Sequence, residues 1–348
     1  MFATMAGGYP FGPPPGVTAS FAEVRLRRAS GSIHEEEFQA AADAWVTDIV
    51  AEQASIGLSM GCDGLARWPG SAETGPTPLD LARELLADRI APDDLVRAWR
   101  WADDGIDIMI KQVLPGPWSA AQALAVTPAD RAAIARDLED RLVAAGAALR
   151  ASMVPVLQFD EPAIPAIGPD EAAWDDLAAS LTRLGERLTG IHLSLAITGG
   201  AAHPTGVPRL AALPFQSFLV DVVASGVDGW RLIHALPRET GVIVGAGDAR
   251  SPAQDDPEML VWAATIAAES GDRGHIRVGI STSGSMVGLE RLRAKRKLES
   301  LGMAVRLAKT GPLGQVARAL QEEPGTCRIR TLRQLYADHL AALAAAEP

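Results

Sequence analysis

Short apolar segments alternate with longer amphipathic segments along most of the chain. Eight runs of roughly four to eight residues are apolar almost throughout, as in VPVLQF and VIVGAG, which is typical of strands buried on both faces of a parallel sheet. We predict eight strands, at Phe2–Gly7, Leu58–Cys62, Asp107–Val113, Val154–Phe159, Ile191–Ile197, Ser217–Val222, Val242–Gly245 and Ile276–Ser281.

The segments between these strands carry apolar residues at three- and four-residue spacing, which predicts helices. The clearest is His34–Ile56, which has three glutamates in its first turn and ends before Gly57. The others are Pro128–Ala151, Asp170–Leu188, Pro257–Ser270 and Leu289–Leu307. Strands alternating with helices predict an α/β fold, a single (β/α)8 TIM barrel. An open doubly wound sheet is the alternative that counting strands leaves open.

The sequence predicts one domain followed by a tail. No fixed-period repeat and no long low-complexity linker divides the chain, and residues 8–33 form a Pro/Gly-rich connection. We assign residues 1–308 to the barrel and the Ala/Leu-rich residues 309–348 to a helical tail packed on it. A length of 348 residues suits one large α/β barrel.

Composition narrows the classes of partner. The formal net charge of −11 argues against a surface that binds a phosphate backbone, so we expect no nucleic acid partner. Two cysteines make neither a disulfide framework nor a four-thiolate zinc site. No segment predicts a membrane span or a targeting signal, so we expect a cytoplasmic protein with a small-molecule substrate. The sequence leaves open whether the protein forms a homo-oligomer.

Polar residues gather where the predicted strands end, and in a barrel that end carries the chemistry. In LQFDEPAI, Asp160 and Glu161 follow a strand, and only one of them can face the pocket because side chains alternate. An aspartate there could hold an ammonium group or act as a general base, whereas the structural alternative is an ion pair. The remaining strand-end groups are Asp63, His192, Ser194, Asp221, Asp248, Arg250 and Ser281–Ser285.

Three further features suggest binding functions. The glycine-rich segments VGAGDARS and STSGSMVG follow the last two strands, and with Arg250 and Ser283 they could bind an anion; glycines that merely permit tight turns are the alternative. Trp118 follows the third strand, where it could stack on a flat substrate such as a pterin. His192 could be a metal ligand or a general acid or base, or a core histidine.

The segment VLQFDEPAI resembles I-Q-I-D-E-P-A-L of the C-terminal barrel of cobalamin-independent methionine synthase. Five other segments also resemble conserved segments of that barrel, and they occur in the same order over roughly residues 2–308: ATMAGGYP, GLSMGCDGLAR, IHLSL, VIVGAGDARSP and RVGISTSGSMVGLE. D-E-P-A is the one specific motif among them. The resemblance implies a (β/α)8 barrel, and these segments place Gly7, Gly8, Asp63 and Asp248 among the expected substrate-binding residues.

The resemblance also implies a zinc ion, held in that family by one histidine, two cysteines and one glutamate, that lowers the pKa of the homocysteine thiol. The matching positions here are His192, Ser194, Asp221 and Gly284, so the zinc site reads as degenerate. Leu65 replaces a carboxylate that helps to bind the amino group of homocysteine. Arg250 replaces a histidine that handles protons, whereas Asp160, another contact of that amino group, is kept.

Three functions remain open. The first is transfer of a methyl or other alkyl group to a small thiol-type acceptor oriented by Asp160, with His192 and Asp221 as any residual metal site; the resemblance implies a folate-type donor and no cobalamin. The second is metal-free acid–base chemistry on a small anion bound by Arg250 and Ser283, with Asp160 or His192 moving the proton. The third is a non-catalytic small-molecule-binding barrel. The expected substrate-binding set is Gly7, Gly8, Asp63, Trp118, Glu161, Asp248 and Ser283.

Overall fold

Parallel strands form the centre of the structure, a computed structural model that describes residues 1–12, 21–68 and 77–309. Every strand pair in this part of the chain is parallel. In chain order the strands are β1 (Phe2–Ala3), β2 (Met60–Gly61), β3 (Met109–Ile110), β4 (Gln112–Pro115), β5 (Val156–Asp160), β6 (His192–Ile197), β7 (Ser217–Asp221), β8 (Gly241–Gly247) and β9 (Val278–Thr282).

The strands close into a ring of eight. Seven form one sheet in the order β1-β9-β8-β7-β6-β5-β4, and β2 pairs with β3. Lys111 alone separates β3 from β4, so these two segments together form one strand of the barrel. The β3 part of this strand pairs with β2, and the β4 part pairs with β5. The Ser59 amide donates to the Ala3 carbonyl at 2.9 Å and joins the remaining edges. The TIM barrel is therefore confirmed, and the doubly wound alternative is wrong.

Helices surround the ring, and all five predicted helices are present with ends shifted by a few residues at most. Among the described residues the α-helices are α1 (Phe21–Ala29), α2 (Glu35–Ile56), α3 (Pro78–Leu86), α4 (Pro92–Asp103), α5 (Pro117–Leu124), α6 (Pro128–Ala151), α7 (Glu171–Arg187), α8 (Val207–Ala211), α9 (Val222–Ser225), α10 (Val227–Ala235), α11 (Pro257–Glu269) and α12 (Arg291–Lys309). Short 3-10 turns lie at Ile164–Ala166, Pro204–Gly206, Ser270–Asp272 and His275–Arg277. No described helix has the length and apolar character needed to cross a membrane.

The structure corrects one prediction near the N-terminus and leaves the prediction for the C-terminal tail untested. Residues 8–33 are not only a connection, because they include α1, whose Phe21 ring stacks on Trp45 of α2 with ring centroids 5.5 Å apart. The residues after 309 lie outside the described part, so the helical tail and the division at residue 308 stay predictions.

Apolar side chains pack in two places. Most of the core lies between the strands and the helices. A second, small cluster lies inside the barrel and consists of Ala6, Ala196, Leu219 and Ile243, with Phe2 packed against it. A Cβ on Gly279 of β9 would overlap the Phe2 ring, so this glycine leaves the space that the ring occupies inside the barrel. Small residues on the inner wall leave space for the polar side chains described below.

The last described helix, α12, packs against α2. Gly302 of α12 packs against the end of α2, where an added Cβ would overlap the Ile56 carbonyl oxygen. Alanine normally favours a helix over glycine by about 1 kcal/mol, so the expected sign depends on this contact.

We expect Gly302→Ala to lower the free energy of unfolding by about 1–3 kcal/mol, because the backbone carbonyl cannot move away without separating the two helices. Urea denaturation followed by circular dichroism measures the change. Gly288→Ala is the matched control, since an added Cβ there meets open space. Equal stabilities for the two variants would contradict this packing.

Candidate functional site

Asp160 lies at the end of the barrel where the strands terminate. It is the last residue of β5 and is level with Ala196 of β6, a member of the inner apolar cluster, so its side chain also points inward. Its Oδ2 atom lies 3.5 Å from the place that a Cβ would occupy on Gly7. The structure therefore brings together two of the predicted site residues.

A cavity of about 240 Å³ adjoins Asp160 between the end of β4 and the starts of α3 and α5. Its other walls are mostly apolar and include Leu79, Pro115, Ala120, Ala123 and Pro162. Larger grooves of about 580 and 740 Å³ lie on the outside of the helix layer and are lined by residues of α4, among them Trp101. The cavity beside Asp160 is the one of these that opens at the ends of the strands.

A chain of hydrogen bonds runs through the barrel interior to Asp160. The Lys111 side chain, only 2% exposed, donates to the Met5 carbonyl oxygen and, at 2.6 Å, to Gln158 Oε1. Gln158 Nε2 donates to the Ala6 carbonyl oxygen and, at 2.7 Å, to Asp160 Oδ1. Sequence reasoning assigned no role to Lys111 or Gln158; the polar residues in the otherwise apolar runs MIKQV and VLQF are the signal that could have found them.

Burial changes the proton affinity of this group of residues. It raises the pKa of Asp160 to about 7, although the hydrogen bond from Gln158 and the charge of Lys111 act in the opposite direction. Burial also lowers the pKa of Lys111 and raises that of the nearby Cys62 thiol to about 11. Asp160 therefore has a pKa suited to exchanging protons near neutral pH, and the Cys62 thiol stays protonated there.

Glu161 faces the other way, as alternation requires. Its two carboxylate oxygens accept from the backbone amides of Trp118 at 3.1 Å and Ser119 at 2.7 Å, in the first turn of α5. A Cβ on Gly116 would overlap this carboxylate, so the glycine makes room for it. Burial raises the pKa of Glu161 to about 7. Glu161 is fully buried as a helix cap, so its position does not support the predicted role in substrate binding.

A second polar cluster lies at the ends of β7 and β8. Asp221 is fully buried, and its Oδ1 accepts from the amides of Val223 and Ala224. Its Oδ2 accepts from the Gly199 amide and lies 3.3 Å from the Arg250 guanidinium, which is half exposed. Asp221 thus joins two loops of the barrel mouth and orients the arginine above them.

The neighbouring loop after β8 is held by side-chain acceptors. Asp248 accepts from the Arg250 amide at 3.0 Å, and Ser283 Oγ accepts from the Ala249 amide at 3.1 Å. Beneath them the buried Lys297 reaches Asp255 at 3.2 Å, and Asp255 accepts from the Asp248 amide. Arg250, Asp248 and Ser283 do lie together as predicted, with Ser283 buried and turned toward the loop backbone.

His192 is at the opposite end of the barrel from Asp160. It is the first residue of β6, is level with Val156 of β5, and bonds through Nε2 to Ser217 Oγ at 2.9 Å. The rise of a strand separates it from the level of Asp160 by about 13 Å. His192 therefore lies on the inner face but at the N-terminal end of the strand, so its position does not support the predicted roles in catalysis and metal binding, which stay predictions.

The residues at the expected metal positions do not fit zinc. Asp221 lies at the far end of β7 from His192, and each of its oxygens already accepts hydrogen bonds. Ser194 supplies only a neutral hydroxyl. No group of three or more His, Cys, Asp or Glu side chains in the described part of the chain is arranged to hold a metal ion.

Three further predictions concern residues near the mouth. Trp118 is buried and lines a cavity between α6 and α7 on the outer side, so its position does not support the predicted stacking on a substrate. Asp63 is a buried turn residue whose Oδ1 accepts from the Leu65 amide at 3.0 Å, and the structure joins it to no other predicted site residue. The Gly8 carbonyl accepts from the Met286 amide, so Gly8 links the first and last loops of the barrel.

Comparison with known proteins identifies the fold of the chain. No family model matches the chain, and no curated protein matches it. The B12-independent methionine synthase from Shewanella sp. W3-18-1, solved in complex with selenomethionine, matches with a TM-score of 0.68 at 17% identity, over 88% of this chain and 97% of that one. The putative vitamin-B12 independent methionine synthase from Listeria monocytogenes matches with a TM-score of 0.62 at 15% identity, over 89% and 97%. The chain has the fold of these synthases. The structural resemblance expected from the D-E-P-A segment is confirmed.

We expect Glu161→Ala to lower the free energy of unfolding by about 2 kcal/mol, because it leaves two amides of the first turn of α5 without an acceptor. Chemical denaturation at pH 7 measures the loss. Glu186→Ala, an exposed glutamate of α7, is the control and should leave stability unchanged. A Glu161→Ala variant as stable as this control would contradict the capping role.

Proposed function

We propose that this protein transfers a methyl or other alkyl group to a small thiol-type acceptor at the C-terminal mouth of its barrel. The observation that carries the proposal is Asp160, which presents one carboxylate oxygen beside a cavity in a fold shared with B12-independent methionine synthases. The Shewanella synthase is in complex with selenomethionine, an amino acid that carries a methyl group on selenium. A small amino acid with a methylated heteroatom is thus a ligand of a related barrel.

Asp160 would orient the acceptor and take its proton. A carboxylate with a pKa of about 7 is deprotonated in part of the molecules at neutral pH and can accept a thiol proton. The bond from sulfur to the alkyl carbon forms as the bond between that carbon and the donor nitrogen breaks, and the electron pair of the broken bond stays on the nitrogen. The thiol proton passes to Asp160, and the nitrogen takes up one proton, so that the donor leaves as the demethylated amine. The donor proposed from the sequence resemblance is a folate-type methyl donor. No step involves zinc, because the residues at the expected positions do not fit it.

The wild-type protein is expected to form a thioether from 5-methyltetrahydrofolate and homocysteine, and Asp160→Asn should lower kcat by about 100-fold or more, because the amide cannot accept the proton. Mass spectrometry of the thioether measures the rate.

Asp140→Asn is the matched control, since Asp140 lies on the outside of α6 and pairs with Arg187 at 2.6 Å. It should retain the wild-type rate. A folded Asp160→Asn variant as active as the wild type would exclude Asp160 as the base. A wild-type protein that methylates neither homocysteine nor another small thiol would exclude the proposed reaction.

Acid–base chemistry on a small anion is the second candidate, and Arg250 is the observation that favours it. The guanidinium is half exposed at the mouth, while the buried Asp221 and the neighbouring Asp248 fix its position. Such an arginine can present its remaining N–H groups to a carboxylate or phosphate. Asp160 would then move the proton. A non-catalytic barrel would bind the same anion without turnover.

If the mouth binds anions through this arginine, Arg250→Met should weaken the binding of inorganic phosphate by at least about tenfold, since a charge-assisted hydrogen bond contributes about 1.5–3 kcal/mol. Isothermal titration calorimetry measures the dissociation constant. Arg250→Lys keeps the charge and should bind with intermediate affinity. Arg187→Met, on the outer surface, is the control. Equal affinities of Arg250→Met and wild type would exclude this site.

A further inference from the structure

Lys111 is buried, which is rare for a lysine in any protein. It occupies the gap between β3 and β4, and its ammonium lies among interior side chains with 2% of the residue exposed. Moving an ammonium out of water costs several kcal/mol unless hydrogen bonds and a counter-charge offset it. Here the Met5 carbonyl oxygen and Gln158 Oε1 are the acceptors, and Asp160 is the nearby carboxylate.

The neighbours of Gln158 fix the orientation of its amide. Its Oε1 must face the donor Lys111, because a lysine has no acceptor to offer. Its Nε2 must then face the Ala6 carbonyl and Asp160 Oδ1, which are both acceptors. A flipped amide would place like groups against each other at three contacts. Lys111 and the Ala6 carbonyl, one at each end of the amide, therefore hold Gln158 with its Nε2 toward Asp160.

This orientation makes the two oxygens of Asp160 different. Oδ1 is held at 2.7 Å by Gln158, whereas Oδ2 is turned toward Gly7 at the mouth. We propose that Lys111 is a positioning residue that acts through Gln158 on Asp160, holding Oδ1 so that Oδ2 is the oxygen that works on the ligand. This inference rests on the proposed function only in taking Asp160 as the group that works at the mouth.

The charges around Asp160 support this role. Lys111 faces it from the barrel strand that β3 and β4 form, and the Cys62 thiol, which follows β2, lies near both and is neutral because burial raises its pKa. Glu161 lies on the opposite face of the chain and contributes a weaker repulsion. Lys111 is therefore the positive charge that opposes the effect of burial on the pKa of Asp160.

Lys111 is not placed to react with a ligand itself. It is buried below Asp160, and its donors point to Met5 and Gln158 rather than to the cavity, whose lining does not include it. A nucleophilic amine needs a path to the substrate. The geometry thus favours an effect through Gln158 over a direct one.

The test measures Asp160 directly, by ¹³C NMR of protein labelled at aspartate side-chain carboxyls, with Asp160→Asn used to assign the signal. Lys111→Met should raise the pKa of Asp160 by about 1 or more, because the Gln158 amide loses the donor that holds its Nε2 toward Oδ1 and because a nearby positive charge is lost as well. Gln158→Met should raise it as well, because it removes the hydrogen bond to Oδ1 while keeping Lys111.

Lys297→Met is the matched control. Lys297 is as buried as Lys111, at 1% exposure, and donates to the Ala253 carbonyl oxygen at 2.6 Å on the outer side of the strands. This variant should change stability and leave the pKa of Asp160 unchanged.

An unchanged pKa of Asp160 in folded Lys111→Met would overturn the inference. If Lys111→Met does not fold, Gln158→Met decides alone, and an unchanged pKa there has the same meaning. The outcome is separate from that of the methyl-transfer assay. Shifted pKa values in a protein without transferase activity would overturn the proposed reaction and support the positioning role, whereas unshifted values in an active enzyme would overturn the positioning role alone.

Discussion

The alternation of side chains along β5 is the constraint on which the site depends. Four successive residues of VLQFDEP divide between two environments: Gln158 and Asp160 point into the barrel, whereas Phe159 and Glu161 point toward the helices. The same strand therefore holds the inward carboxylate of Asp160 and caps α5 with the carboxylate of Glu161. A shift of the register by one residue would exchange these roles and bury an apolar ring among polar groups.

The polar interior follows from this arrangement. An inward carboxylate near the axis of a parallel barrel needs hydrogen-bond donors that the strand backbones have already used. Gln158 supplies a donor two residues before Asp160 on the same strand, and Lys111 supplies the charge from the neighbouring strand of the barrel. Both side chains fit because the facing wall carries small residues such as Ala196 and Gly245. The site is thus part of the barrel's packing rather than an addition to its surface.

Sequence patterns predicted the barrel, its strands and five of the twelve described helices, since each strand is an apolar run and each of those five helices has a clear period. They predicted the direction of Asp160 relative to Glu161 as well, because period-two alternation is local. They did not predict which glutamate caps α5, because the acceptor and the helix are about 40 residues apart in sequence and only the register of β4 against β5 brings them together. The same limit applies to Trp118, because neither α5 nor the face on which it buries this side chain was predicted.

The position of His192 shows what a strand pattern leaves undetermined. His192, Ser194 and Ala196 share one face of β6, so the pattern gave the correct side of the sheet but not the height along the barrel axis. Height matters because chemistry is confined to one end. At the height of Asp160, β6 presents Ala196, which has no polar atom. Two strand spacings, on the order of 10 Å, separate Asp160 on β5 from Asp221 on β7, with this apolar wall between them. The mouth therefore has the carboxylate of Asp160 on one side of β6 and the arginine held by Asp221 on the other.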